Sequence, residues 1–192
     1  MEIELKVVLT EENLQKLLNS ELFISGIVPN SEQVLLLTSN YYDTDDFALR
    51  AKGEVYRVRI TEFADGHKEY ESTTKRTLKT NGGLAEREEI NVKQNDEKPC
   101  YANVKKIFAT EVTRKILLLK YNNALFEMAM DKGRIVAANG KTDPIDEIEF
   151  EIKKGTTEDL QKLRVELQKI VPLQEEARSK YARGLALVGK IK

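Results

Sequence analysis

The stretch Glu2-Ile3-Glu4-Leu5-Lys6 decides how this chain is read. Charged side chains at alternate positions, separated by apolar ones, have the period of a β-strand with one charged and one apolar face. The pattern then returns. Arg57 and Arg59 flank Val58; Lys75, Thr77 and Lys79 alternate, as do Arg87, Glu89 and Asn91. Glu127, Ala129 and Asp131 follow, then Glu147, Glu149 and Glu151 around Ile148 and Phe150. One such strand is the ordinary signature of a sheet with a wet face. Six such segments, with Glu and Arg recurring on the charged face, point instead to strands that line something with charge.

Carboxylates hold hard divalent cations, and Lys and Arg hold phosphate oxygens, Arg often with two hydrogen bonds at once. Both sets on one concave surface make a site for a metal-bound polyphosphate. Half a dozen cations in one lumen would repel each other by energies on the order of 4 kcal/mol per close pair. They are tolerable only beside compensating carboxylates, a polyanion, or both.

Composition excludes several other classes. With 31 basic and 32 acidic residues the formal net charge is −1, so no bulk field recruits nucleic acid or a membrane. Cys100 and His67 are the single cysteine and histidine, which rules out Cys–His catalysis, an intramolecular disulfide and a His-rich metal site. The longest apolar runs, such as Ile116 to Leu119, are too short to span a bilayer. The candidate strand begins at Met1, so no signal peptide is expected and a cytoplasmic location is read.

The fold class expected is α+β: an antiparallel β-barrel, or tunnel, with a charged lumen and helices packed outside, as a single domain over 1–192. Strands are expected near 1–9, 34–43, 54–63, 68–79 and 86–93, with hairpin turns at Phe63 to His67 and at Thr80-Asn81-Gly82-Gly83. A helix opens at Thr10, and a short one is expected over Ala102 to Phe108. Strands near 110–120, 123–131, 134–138 and 146–153 complete a meander turning at Asn122-Asn123 and Lys132-Gly133. Thr156 or Thr157 caps a helix carrying Leu160, Leu163, Leu167 and Ile170, stopped by Pro172, and a last helix spans about 175–187.

These residues also resemble a family. Glu2-x-Glu4-x-Lys6 is similar to the ExExK signature of the CYTH superfamily, the triphosphate tunnel metalloenzymes. Asn40-Tyr41-Tyr42-Asp43-Thr44, Tyr56-Arg57-Val58-Arg59 and Thr77-Leu78-Lys79 with Gly83-Leu84 and Arg87-Glu88-Glu89 follow in the family's order. Thr113-Arg114, Asp131-Lys132-Gly133, Glu147 to Glu151 and Ser179-Lys180-Tyr181-Ala182-Arg183 complete a resemblance that covers essentially the whole chain.

The resemblance implies a tunnel fold and a role for each matching residue. Glu2 and Glu4, with one or more of Glu147, Glu149 and Glu151, would bind Mg²⁺ or Mn²⁺. Lys6, Arg57, Arg59, Lys79, Arg87 and Arg114 would grip the phosphate chain, with Lys75 joining them by parity. Lys6 and Tyr41 would orient the reacting group, and Asp131 would position water or a second metal. Lys180 and Arg183 would cap the tunnel mouth. Val112 stands where some tunnel phosphatases carry a lysine two residues before the matched arginine, so lysine-assisted water is not carried over. The expected activity is metal-dependent hydrolysis of inorganic tripolyphosphate, or else of nucleoside or thiamine triphosphates. The alternatives are a class IV adenylate cyclase and a polyphosphate- or nucleotide-binding module without turnover. The expected partner is a small triphosphate, not nucleic acid or membrane, with the chain a monomer or homodimer.

Overall fold

The computed structural model describes residues 2–81 and 84–189, so the expected turn at Gly82-Gly83 lies outside the described residues. Eight antiparallel strands close into a barrel. In chain order they are β1 (Glu2–Val8), β2 (Gln33–Asp43), β3 (Glu54–Glu62), β4 (Lys68–Asn81), β5 (Leu84–Gln94), β6 (Lys105–Tyr121), β7 (Ala124–Ala137) and β8 (Thr142–Lys154). Around the barrel the order is β5-β4-β3-β2-β6-β7-β8-β1, and β1 returns to β5 through Glu2–Arg87 and Leu5–Leu84. A two-residue strand, β9 (Gln174–Glu175), adds to the far end of β1 at Val7 and Val8.

The apolar faces of the alternating strands turn outward and are covered on one side. Leu5 and Val7 of β1, Leu117 and Leu119 of β6, Phe126 and Met128 of β7, and Ile148 and Phe150 of β8 form one buried cluster. Three helices cover it: α1 (Glu11–Leu18), α2 (Glu21–Gly26) and α4 (Thr157–Ile170), which contribute Leu17, Phe23, Leu160, Leu163 and Leu167. Thr10 caps α1 by accepting from the Asn13 amide, and Thr156 caps α4 in a reciprocal box with Asp159. The short α3 (Ala48–Ala51) covers Tyr56 and Val58 of β3 with Leu49. Its amides at Leu49 and Arg50 donate to the buried Asp43 carboxylate at 3.0 and 3.1 Å, so the Asp of Asn40-Tyr41-Tyr42-Asp43-Thr44 is a structural cap. Among the described residues no helix is long and apolar enough to cross a membrane.

Four expectations about elements are corrected. Ala102 to Phe108 is not a helix, because Lys105 to Phe108 already belong to β6 and pair with β2 at Asp43, Tyr42 and Tyr41. Lys132-Gly133 is not a turn. β7 runs straight through it, and glycine is needed because a Cβ there would lie 2.0 Å from the Glu111 carbonyl oxygen. The last helix, α5 (Lys180–Leu187), starts later than expected because Gln174 and Glu175 pair with β1 and Ser179 forms the N-cap. Finally, α5 does not lie on the outside. It packs on Phe108, Ile135 and Ile145, which share the inward parity of Tyr41, Asp131 and Glu147, and so it closes one end of the barrel.

That closure depends on Gly184. A Cβ there would lie 2.4 Å from the Phe108 ring, which is fully buried and stacked on Tyr41 with ring centroids 4.6 Å apart. We expect Gly184→Ala to push α5 off its seat and cost about 1–3 kcal/mol, measured by urea unfolding. An unchanged midpoint would show that α5 does not rest on Phe108.

Candidate active site in the barrel lumen

The alternation expected from sequence places its charges on one inner wall. A cavity of ≈ 410 Å³ is lined by Glu2, Glu4, Lys6, Tyr41, Arg57, Arg59, Lys75, Arg87, Arg114, Glu149, Glu151 and Lys180, all of them singled out from sequence. Four others do not reach that wall. Lys79 is exposed, because a bulge between Thr77 and Lys79 inserts Leu78 and flips the parity after Thr77. Asp131 and Glu147 share the inward face but are buried against Lys180, each 2 % exposed. Arg183 is buried beneath α5, bonded to Asp143 at 2.7 Å, Glu147 at 3.2 Å and the Pro144 carbonyl. It fastens the helix to β8 rather than facing the lumen. Glu71, Glu89, Glu127 and Lys153 also line the cavity. Glu89 and Glu127 were already on the charged faces read from sequence; Glu71 and Lys153 were not, and their parity with Lys75 and Glu151 was the signal that could have assigned them.

Nearly every lumen cation is already paired. Lys75 bridges Glu2 at 2.9 Å and Glu89 at 2.7 Å; Arg87 contacts Glu4 and lies 3.8 Å from Glu2. Arg114 grips Asp131 with two 2.7 Å bonds and Glu149 with one of 2.6 Å. Lys6 donates to the Arg178 carbonyl at 2.7 Å, just ahead of α5. Lys180, entering from α5, lies 2.8 Å from Asp131 and 2.9 Å from Glu149, and also contacts Glu147. Burial alone would lower the pKa of this ammonium, but Glu149, Asp131 and Glu147 raise it well above the lysine range. In return, Lys180 and Arg114 outweigh burial and hold Glu149 well below the ordinary carboxylate value.

Arg59 differs. Among the described residues it has no carboxylate partner, only a 3.1 Å hydrogen bond from its Nε to Ser39. Burial, with Arg57 and Arg114 close by, pushes its pKa down to about 10. Arginine does not give up its proton in proteins, so this is best taken as a charge held without compensation. The buried Nε of Arg57 also lacks a partner, and Arg57 lies 3.8 Å from its nearest acid, Glu89. Tyr41 is the cross-strand partner of Arg57. Burial would raise its phenol, but Arg57, Arg59 and Lys180 bring it below the usual value.

The carboxylates form two sets. Oxygens of Asp131, Glu147 and Glu149 lie within 4.8 Å of one another and could hold a metal, yet the Lys180 ammonium already sits among them. Glu2 and Glu4 of β1 and Glu151 of β8 form the other set, with Glu4 and Glu151 register partners. Burial raises the pKa of Glu2 against the pull of Lys75, and Glu4 and Glu89 add to the rise. Burial likewise raises Glu151 against Lys153, with Glu127 and Glu4 adding. Negative charge is in excess here, and an all-oxygen donor set of this kind fits a hard divalent cation.

We expect Lys180→Met to take a shared cation from Asp131, Glu147 and Glu149, leaving them only Arg114 and Arg183, and to cost about 3–5 kcal/mol. In the parent, the lowered Glu149 contributes stability that is present above its unfolded pKa and lost as pH falls through the folded one. In the variant that carboxylate loses its principal cation, so acidification from pH 7 toward 5 should raise its melting temperature while that of the parent stays level or falls. Parallel profiles would refute the pairing.

The sequence and fold place these residues among known proteins. The family model described as CYTH domain matches residues 1–185. The chain is 31% identical over 180 residues to an inorganic triphosphatase of Haemophilus influenzae; the match covers 83% of this chain but 47% of that protein, so the chain spans about half its length. The PH1819 protein of Pyrococcus horikoshii OT3 superposes with a TM-score of 0.66 at 20% identity, covering 97% of this chain and 99% of that one. An adenylyl cyclase candidate from Hippeastrum, described as having a dominant triphosphatase activity, superposes at 0.63 with 16% identity, covering 100% and 98%. A CYTH match over nearly all of the chain, on a closed barrel whose inner wall carries Glu2, Glu4 and Lys6, makes this chain a member of the CYTH domain family.

Proposed function

We propose that the chain is a metal-dependent triphosphate hydrolase acting on inorganic tripolyphosphate. The observation that carries this is Arg59, a guanidinium lining the lumen with no carboxylate partner among the described residues, beside the unpartnered Nε of Arg57. An anion with several charges satisfies both, while the other lumen cations are already engaged by carboxylates or a carbonyl. The activity of the Haemophilus influenzae relative supports the same reading. The lumen wall presents few apolar groups for an organic moiety, which favours the inorganic substrate over a nucleotide.

Each residue then has a task. Arg57 and Arg59 bind phosphate oxygens and stabilise the charge that grows on them during transfer, where positioned donors act most strongly. Lys6, held by the Arg178 carbonyl, and Tyr41, stacked on Phe108, orient the chain of phosphates. Arg87, Arg114 and Lys75 keep the carboxylates charged and in place. Glu2, Glu4 and Glu151, with Glu149, would hold Mg²⁺ or Mn²⁺. When bound, such an ion neutralises phosphate oxygens and lowers the pKa of a coordinated water.

Incubation with tripolyphosphate and Mg²⁺ or Mn²⁺ should release orthophosphate; no release with any divalent metal across pH 7–10 would refute the proposal. With ATP, cyclic AMP and pyrophosphate as products would replace it with a cyclase. Glu4→Gln should lower activity and raise the metal concentration required. Arg59→Met should weaken tripolyphosphate binding and turnover by about a hundredfold with little change in the metal requirement. A charge whose folded pKa is depressed opposes folding at neutral pH, so this same variant should stabilise the ligand-free protein by about 1–4 kcal/mol. A destabilised Arg59→Met would mean that Arg59 serves the fold instead.

A further inference from the structure

Beyond the main cavity lies a second chamber of ≈ 180 Å³. Arg59, Glu71, Arg114 and Glu127 line both, and so form the boundary between them. The two sides differ in kind. The main cavity adds Lys6, Arg57, Lys75, Arg87, Lys153 and Lys180 to the boundary residues. The second chamber instead presents Leu35, Leu37 and Ile116 beside Thr61. Its one further cation, Lys93, is exposed and lies 3.9 Å from Glu69.

Resting on the triphosphatase reading, we propose that this second chamber fixes the length of substrate the tunnel accepts, admitting three phosphates and refusing a longer linear chain. The uncompensated Arg59 stands at the boundary, so the bound polyanion reaches that point. One phosphate further would sit against Leu35, Leu37 and Ile116, past the carboxylates of Glu71 and Glu127. It would face Glu69, Glu71 and Glu127 where the cations are already engaged, Arg59 by the phosphate before it, Arg114 by Asp131 and Glu149 and Lys93 beside Glu69. A charge taken from water without a free partner is disfavoured. The opposite end offers no escape, because α5 closes it with Leu185 against Phe108 and with a Lys180 already spent on three carboxylates. The tunnel is therefore bounded at both ends, by apolar packing at one and at the other by a chamber of three aliphatic side chains and three acids whose cations are already engaged.

The test compares linear polyphosphates of three, four and about fifteen units, each by phosphate release and by binding calorimetry. The parent should favour the trimer over the tetramer by at least tenfold in kcat/KM or in affinity. Ile116→Lys, which places a cation in the second chamber and replaces none of the residues assigned to the site, should leave the trimer unchanged and narrow that ratio at least fivefold. Glu71→Gln, a smaller change on the boundary, should narrow it in the same direction. Equal handling of all three lengths by the parent would overturn the proposal, as would unchanged ratios in two folded variants. A parent that prefers ATP to tripolyphosphate, with Ile116→Lys removing that preference alone, would also overturn it, since the chamber would then seat an organic group. If the parent releases no phosphate from the trimer, the triphosphatase reading fails, while the binding ratio still decides the length proposal.

Discussion

The Lys180 ammonium among Asp131, Glu147 and Glu149 is the contact on which the rest of the site depends. It joins α5 to β7 and β8, and through the Arg114 bonds to Asp131 and Glu149 it reaches β6. Taking so many charges out of water is costly unless every one is paired. Here the pairing is nearly complete, and the exception is informative. With the other lumen cations engaged by acids or a carbonyl, Arg59 and the Arg57 Nε direct the attraction for an anion to one place.

The helix that delivers Lys180 is held by unlike means at its two faces. Arg183 ties it to Asp143, Glu147 and the Pro144 carbonyl, whereas Leu185 and Gly184 rest on the apolar wall around Phe108. Phe108 in turn stacks on Tyr41, whose phenol faces the arginines. Packing and electrostatics therefore meet in one aromatic pair, and a change in the core beneath α5 would reach the lumen within two side chains.

Much of this was legible in the sequence, for a physical reason. Strand parity is a local property, so Glu2, Glu4, Lys6, Arg57, Arg59 and Arg87 could be assigned to one face without knowing their partners. The same logic failed where parity is broken by something non-local. The bulge at Leu78 carried Lys79 outside, and no residue near it announces the insertion. The apolar run around Ile107 and Phe108 resembles a helix stripe until pairing with β2 and cover by α5 make it a strand buried on both sides. Lys132-Gly133 looks like a turn because glycine usually marks one, yet here it answers a close approach by the Glu111 carbonyl. Lys180 was recognisable as a site cation, but its capture by three acids arises only when α5 folds over the barrel end.

The seam of the barrel has its own consequence. Closure rests on the short pairing of Glu2 to Leu5 with Leu84 to Arg87, and on β1 meeting β8 at Glu4–Glu151 and Lys6–Glu149. The strand that seals the cylinder is thus the strand that carries the first two acids of the lumen wall, and its neighbours come from the middle and the far part of the chain. Contacts between such distant segments form late, since the entropy of bringing them together must be met before they return anything. An open sheet of β2 to β8 would have its arginines and glutamates exposed to water and no enclosed site. Competence should therefore arrive in a single cooperative step with ring closure, leaving no half-active intermediate on the way.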